Sequence, residues 1–180
     1  MQGMLKIVLT GTESTGKTTL ASRLASHYAT LWVPEFARSF LENLGRPYRQ
    51  TDLLDIAKGQ IALEDERAKQ AGHLLVCDTG LEVLKVWSEF KYGSCHPWIL
   101  EQLHRRRYDL HLLCEPDLPW TFDPLRENPA ARRELHEIYR RELLALGANF
   151  TGLKGFGEER FQLAVTAVDE LLSRQLLPHE

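Results

Sequence analysis

An α/β fold with a parallel sheet is predicted by three observations. Short apolar runs alternate with helical patterns along the chain. The first run, Leu5-Lys6-Ile7-Val8-Leu9, has the apolar character of a buried parallel strand. It leads into Gly11-Thr12-Glu13-Ser14-Thr15-Gly16-Lys17-Thr18, which fits the phosphate-binding P-loop pattern G-x-x-x-x-G-K-[ST], and Leu20 and Leu24 then mark one face of a helix. A P-loop belongs between a strand and a helix, and this one sits there.

The elements follow in order. The first strand covers residues 5–10 and its helix runs to about Tyr28. Residues 31–33 form a short second strand that stops at Pro34-Glu35, since proline is tolerated at a strand end. Residues 35–44 read as a helix closed by Gly45 and Pro47. Thr51 or Asp52 is the expected cap of the next helix, which reaches about Gln70. Residues 73–78 are the third strand, residues 81–90 a helix, and His96-Pro97 opens another to about Arg107. Residues 109–114 are the fourth strand. Three prolines make residues 118–128 irregular, and Asn128-Pro129 is expected to start a charged helix, with Pro129 in its first turn, ending at Gly147. Residues 150–153 give a fifth strand and residues 158–176 a final helix. The expected architecture is therefore five parallel strands with helices on both faces.

Bulk properties narrow the class. The chain has 180 residues, 43% hydrophobic and 26% charged, which suits one domain over residues 1–180. A net charge of −3 argues against a nucleic-acid binder. The one dense basic run, Arg105-Arg106-Arg107, follows a helical stretch, where cations complement a helix C-terminus. Three cysteines without a C-x-x-C pair suit a reducing cytosol, so a cytoplasmic location is expected. Residues 1–6 lack a signal-peptide pattern, and no stretch is apolar enough to cross a bilayer. The oligomeric state is left open.

The P-loop points to phosphate chemistry. Gly11 and Gly16 let successive N–H groups face one anion, with Glu13, Ser14, Thr15 and Thr19 lending backbone around it. Lys17 is placed to reach the β- and γ-phosphates of ATP, and Thr18 to ligate Mg²⁺. Ligands of open parallel sheets sit beyond the C-terminal strand ends, which singles out Glu35 and Asp78. Asp78 reads as a magnesium carboxylate or as a helix cap. Glu35 and Arg38 read as a general base with a binding partner or as a surface ion pair. Arg126, ahead of Arg132 and Arg133, is the first choice for a cation that stabilises transferring phosphate from a lid at about residues 118–147. Gln60 reads as a substrate ligand or as surface. His96 reads as a cap or packing residue.

These residues together resemble the ribosylnicotinamide kinase domain of the NadR family. The P-loop carries the resemblance with Pro34-Glu35-Phe36-Ala37-Arg38, Cys77-Asp78-Thr79, Trp87-Ser88-Glu89-Phe90-Lys91-Tyr92-Gly93 with His96-Pro97, residues 119–126, and Gly157-Glu158-Glu159-Arg160-Phe161. The resemblance implies a P-loop kinase fold, MgATP as donor and the ribose hydroxyl of nicotinamide riboside as acceptor. It also implies adenine contacts near residues 154–157, with Lys154 and Gly155 as the candidates. Two positions depart from the family pattern. Pro34 stands where an aromatic often precedes the strand-end glutamate, and Gly80 stands where the family's Asp-Thr-Asp has its second carboxylate. A different class of function, a regulatory module that binds and slowly hydrolyses nucleotide, fits the same P-loop. Acceptor-stimulated ADP release separates the two.

Overall fold

A computed structural model describes residues 3–176, so the outermost residues of the expected 1–180 domain, and with them part of the stretch read for a signal-peptide pattern, lie outside the description. The elements run β1 (Leu5–Thr10), α1 (Lys17–His27), β2 (Leu31–Val33), α2 (Phe36–Asn43), α3 (Gln50–Gln70), β3 (Leu74–Asp78), α4 (Leu81–Tyr92), α5 (Pro97–Arg105), β4 (Leu110–Cys114), α6 (Arg132–Ala145), β5 (Phe150–Leu153) and α7 (Gly157–Leu176). The five strands form one parallel sheet in the order β2-β3-β1-β4-β5.

Strand alternation divides the core into layers. Leu5, Ile7 and Leu9 of β1 pack with Leu74, Val76, Leu110 and Leu112 against α1 and α7. Val8, Val33, Leu75 and Cys77 turn to the other face, under α3. Val86 of α4 and Leu135, Tyr139 and Leu143 of α6 cover Leu113 on that side. A further cluster around Ile56, Leu84 and Ile99 joins α2, α3, α4 and α5. Ile7, Leu9, Leu24, Leu74 and Leu112 are fully buried, and each removes about 1.5–3 kcal/mol worth of apolar side chain from water. With β1 central, the chain leaves the sheet on opposite sides of one crevice, and the P-loop occupies it.

Several boundaries shift by a residue or two from the sequence reading, and three of the differences have a visible cause. The helix expected from Pro129 starts at Arg132. The N–H groups of Glu127 and Asn128 go to the Glu13 carboxylate at 3.1 and 3.2 Å, which holds the chain off a helical path there. Neither Thr51 nor Asp52 is the N-cap of α3; Arg49 is. Asp52 sits three residues in and accepts the Arg49 N–H at 2.7 Å, while Arg46 grips its two oxygens at 2.8 Å each and holds its carboxyl down at about 2. Helix α5 ends at Arg105, because Arg106 turns to pair with Glu64 and Asp65.

Candidate active site

The P-loop is wound by backbone geometry that its sequence permits. Gly11 has φ 136°, and a Cβ there would stand 2.8 Å from the Cys114 carbonyl oxygen, so only glycine lets the loop cross β4 this closely. Ser14 and Gly16 also take positive φ, 56° and 77°, which turns their N–H groups inward. The Thr15 hydroxyl donates to the Thr12 carbonyl at 2.8 Å and closes the turn. Lys17 folds over the loop, its ammonium donating to Gly11 and Thr12 carbonyls at 2.9 and 2.8 Å. A cavity of about 490 Å³ opens in front, lined by residues 11–19, by Glu35 and Arg38, by Trp87 and Lys91 of α4, and by residues 125–128.

Thr18 and Asp78 meet as the sequence suggests. The Thr18 hydroxyl donates to Asp78 Oδ2 at 2.6 Å, while Oδ1 is buried without a partner. A hydroxyl beside a carboxylate with an unused oxygen fits Mg²⁺, which takes one or two protein oxygens and keeps water and phosphate for the rest. Among the described residues no group of three His, Cys, Asp or Glu converges as a self-contained metal site. Burial pushes the Asp78 carboxyl up, against the Thr18 hydrogen bond and Lys17, which pull it down. Asp78 lies beneath Thr18 and does not line the cavity.

Glu35 is the N-terminal flank of α2, at the tip of β2, and its carboxyl faces the cavity. Burial raises its pKa; Lys17 and Arg38 lower it, and Asp78 and Glu13 add to the rise. Its backbone is fixed from behind by Gln60. That buried side chain accepts the Phe36 N–H at 2.8 Å and reaches the Pro34 carbonyl at 3.5 Å. Gln60, expected as a substrate ligand, therefore positions the base of α2 and does not line the cavity.

The lid expected over this site is a loop, residues 118–131, followed by α6, and polar contacts hold it down. Glu13 binds two of its N–H groups. Arg38 pairs with Asp123 at 2.9 Å. Arg132 donates to the Ser14 and Leu118 carbonyls at 2.9 and 2.8 Å, with its guanidinium 5.9 Å above the Trp120 ring. Arg126 donates to the Thr121 carbonyl at 2.6 Å and lines the cavity, while Arg133 is exposed. Lys154 and Gly155 lie outside the cavity, at the end of β5, where the Gly155 N–H donates to Asp117. His96 caps α5 by accepting the Trp98 N–H at 3.1 Å.

Several contributors carried no decisive sequence signal. Buried Arg160 of α7 donates to the Thr15 carbonyl at 2.6 Å and to the Glu115 carbonyl at 3.2 Å, and it also pairs with Asp117. Glu82, fully buried in the first turn of α4, accepts the Thr10 hydroxyl at 2.5 Å. A Cβ on Gly80 would meet its Oε2 within 2.3 Å, so the glycine of Asp78-Thr79-Gly80 makes room for that carboxylate. Tyr48 and Glu127 join Lys91 beside the cavity.

A family model for an AAA domain matches residues 6–160, which takes in the P-loop, Glu35, Asp78 and the lid. The chain belongs to that AAA-domain family. Two curated relatives of similar sequence are the trifunctional NAD biosynthesis/regulator proteins NadR of Escherichia coli and Salmonella typhimurium. Each is 26% identical over 176 residues, covering 94% of this chain and 43% of the relative. The chain thus spans less than half the length of these curated relatives. Among solved structures, a NadR protein in complex with NR superposes with a TM-score of 0.79 at 24% identity, covering 98% of this chain and 53% of that one. A NadR protein with NAD and AMP-PNP gives 0.74 at 23%, covering 98% and 51%. Thymidylate kinase from Ehrlichia chaffeensis gives 0.64 at 13% identity, covering 94% and 99%. The AAA-domain fold of this chain is that of these P-loop proteins, and no helix among the described residues is long and apolar enough to cross a membrane.

Proposed function

We propose that the protein is an ATP-dependent nucleoside kinase whose acceptor is nicotinamide riboside. The observation that carries this reading is the pairing of Glu35 with Lys17 across one cavity, with the Glu35 carboxyl raised by burial. A hydrolytic switch needs no buried carboxyl at the tip of the second strand, whereas an alcohol acceptor needs a group that takes its proton. One solved relative is in complex with NR and another with NAD and AMP-PNP, the last an ATP analogue, which supports the reading.

In the proposed reaction the P-loop amides and the Lys17 ammonium hold the ATP phosphates. Magnesium, bound through Thr18 and Asp78, would neutralise charge shared by the β- and γ-phosphates. Glu35 takes the proton of the ribose hydroxyl as its oxygen bonds to the γ-phosphorus. The bond from phosphorus to the β–γ bridging oxygen breaks, and ADP leaves with that electron pair. A raised pKa makes Glu35 a stronger base than an ordinary carboxylate, and Asp78 is committed to Thr18. Arg126 and Arg38 hold charge on the acceptor side once the lid contacts of Arg126 and Arg38 exchange for ligand. Lys154 and Gly155 contact adenine in this reading.

Mg²⁺-dependent ADP release with nicotinamide riboside, in the wild type and in Glu35→Gln, tests the proposal. Release is expected to need the riboside and to fall about 10²-fold in the variant. Slow release independent of any acceptor would defeat the kinase reading.

A further inference from the structure

The basic run Arg105-Arg106-Arg107 divides three ways in the folded chain. Arg105 pairs with Glu101 one turn back on α5, at 2.8 Å. Arg106 is committed to Glu64 and Asp65. Arg107 is exposed, and among the described residues it has no ion pair and no hydrogen bond. Complementing the end of a helix accounts for the first of these and leaves the third unexplained.

Arg107 lines a second cavity, of about 310 Å³. Its walls are the end of α5, the connection into β4, and the turn from α6 into β5. The strands are parallel and the P-loop follows the last residue of β1, so this cavity lies at the other end of the sheet from the site above. Its volume falls at the lower end of cavities that take small molecules, about 300–1,000 Å³.

The chemistry of the cavity is one-sided. His104, Arg107, His111 and Asn149 supply its polar groups, and none of the described residues lining it carries a carboxylate. His111 is 5% exposed, and its Nδ1 has no hydrogen-bond partner. Tyr108 holds that ring edge-on, with centroids 5.4 Å apart, and the Tyr108 hydroxyl is itself tied to Glu64 at 2.8 Å. The imidazole is thus fixed with a buried nitrogen unmet, and such atoms in native folds are met by protein, water or ligand. Leu103 and Leu146 give the cavity an apolar side. Helices α5 and α6 both end here, and a helix C-terminus opposes an anion. Those ends are closed, however. The Glu142, Leu143 and Leu144 carbonyls accept the N–H groups of Leu146, Ala148 and Gly147 at 2.9, 3.0 and 3.1 Å. The Leu100 carbonyl accepts His104 Nδ1 at 2.7 Å, and the Gln102 carbonyl accepts the Arg106 N–H at 2.9 Å. The charge left facing the cavity is that of Arg107.

A guanidinium with unused N–H groups beside a fixed imidazole fits an oxyanion. A carboxylate presents its oxygens in one plane. A phosphate presents a tripod of acceptors, which suits donors arriving from separate elements, here the connection after α5 and strand β4. The leucine side leaves room for a small organic body. We propose that this second cavity binds a small phosphomonoester, and that it fills independently of the P-loop. The proposal goes beyond the kinase reading and needs no phosphoryl transfer to hold.

The test is calorimetry with phenyl phosphate on the full chain, as wild type, Arg107→Ala, Arg105→Ala and Lys17→Ala. The wild type is titrated with saturating Mg²⁺ and AMP-PNP present, so that the P-loop is already occupied. One equivalent is expected to bind there and also to bind Lys17→Ala. Arg107→Ala is expected to weaken binding about tenfold or more, the loss of a charge-assisted contact, and Arg105→Ala to change it less than about twofold. Benzoate is expected to bind about tenfold more weakly than phenyl phosphate. Hydrogen exchange should slow on binding over residues 103–111 and 145–149, which locates the ligand. No binding to the nucleotide-loaded wild type would overturn the proposal. So would binding that Lys17→Ala abolishes and Arg107→Ala leaves intact, which belongs to the P-loop. Equal affinity for benzoate would overturn the assignment of a phosphate.

Discussion

Arg160 and Arg132 both donate to P-loop carbonyls, the first from the floor of the crevice and the second from its lid. Arg160 is 4% exposed and reaches Thr15, Glu115 and Asp117 from a helix packed into the main core. Arg132 is half-buried and binds Ser14 and Leu118, two loop carbonyls. The difference extends to their surroundings. The floor is fixed by fully buried β1, β3 and β4 residues, by Gln60 behind Glu35 and by Glu82 behind Thr10. The lid is fastened by Glu13, Arg38–Asp123 and Lys91–Glu127, contacts whose side chains are partly in water, with Phe122 82% exposed at its crest. Buried contacts hold one geometry, whereas exposed polar ones exchange with water at little cost. In the proposed kinase, phosphates would therefore meet a prebuilt floor under a lid whose fastenings exchange readily.

Four substitutions probe that contrast. Lys17→Ala in the floor should lower kcat about 10²–10³-fold, the effect of removing one preorganised phosphate clamp, with little change in melting temperature. Arg160→Met should cost about 3 kcal/mol in denaturant unfolding, since the Thr15 and Glu115 carbonyls lose a buried charged donor. A loss under about 0.5 kcal/mol would place the floor and lid arginines on equal footing. Glu35→Gln should slow transfer about 10²-fold and also stabilise the ligand-free fold at neutral pH. The sign follows from its raised pKa. The folded protein holds this proton more tightly than the unfolded chain, so the group favours folding below the ordinary carboxylate range and that benefit is lost as pH rises through the folded value. The variant should melt above the wild type at pH 8, with the gap closing by about pH 4. Asp123→Ala in the lid should change stability by less than about 1 kcal/mol while hydrogen exchange over residues 118–131 speeds up. Unchanged exchange there would mean that the lid is held by something other than its ion pairs.

The same contrast explains what the sequence disclosed. The floor was legible because strands β1 and β3 are largely apolar and the P-loop glycines sit where positive φ is needed. The family resemblance, the five parallel strands and the Thr18–Asp78 contact all follow from those local patterns. Lid and supports were not legible for a shared reason. Glu13 with residues 127 and 128, Tyr48 with Lys91, and Glu82 with Gly80 are contacts whose specificity lies in where side chains end, not in spacing along the chain. Gln60 shows the same limit. Its helix passes the strand ends as expected, yet its amide is spent on the backbone of Pro34 and Phe36. Helix α6 starts later than Pro129 suggests because Glu13, 115 positions earlier than Asn128, takes the N–H that a first turn would leave free.

The hydrogen bond from Arg160 to Thr15 spans 145 positions. During synthesis at about 5–20 residues per second, residue 160 follows residue 15 out of the ribosome by roughly 7–30 s. Over that interval a nascent chain already carries every glycine of its anion-binding turn but not the guanidinium that braces it. In the kinase reading, the braced form of that turn is thus complete only late in translation, after the sheet's central strands have had time to pair.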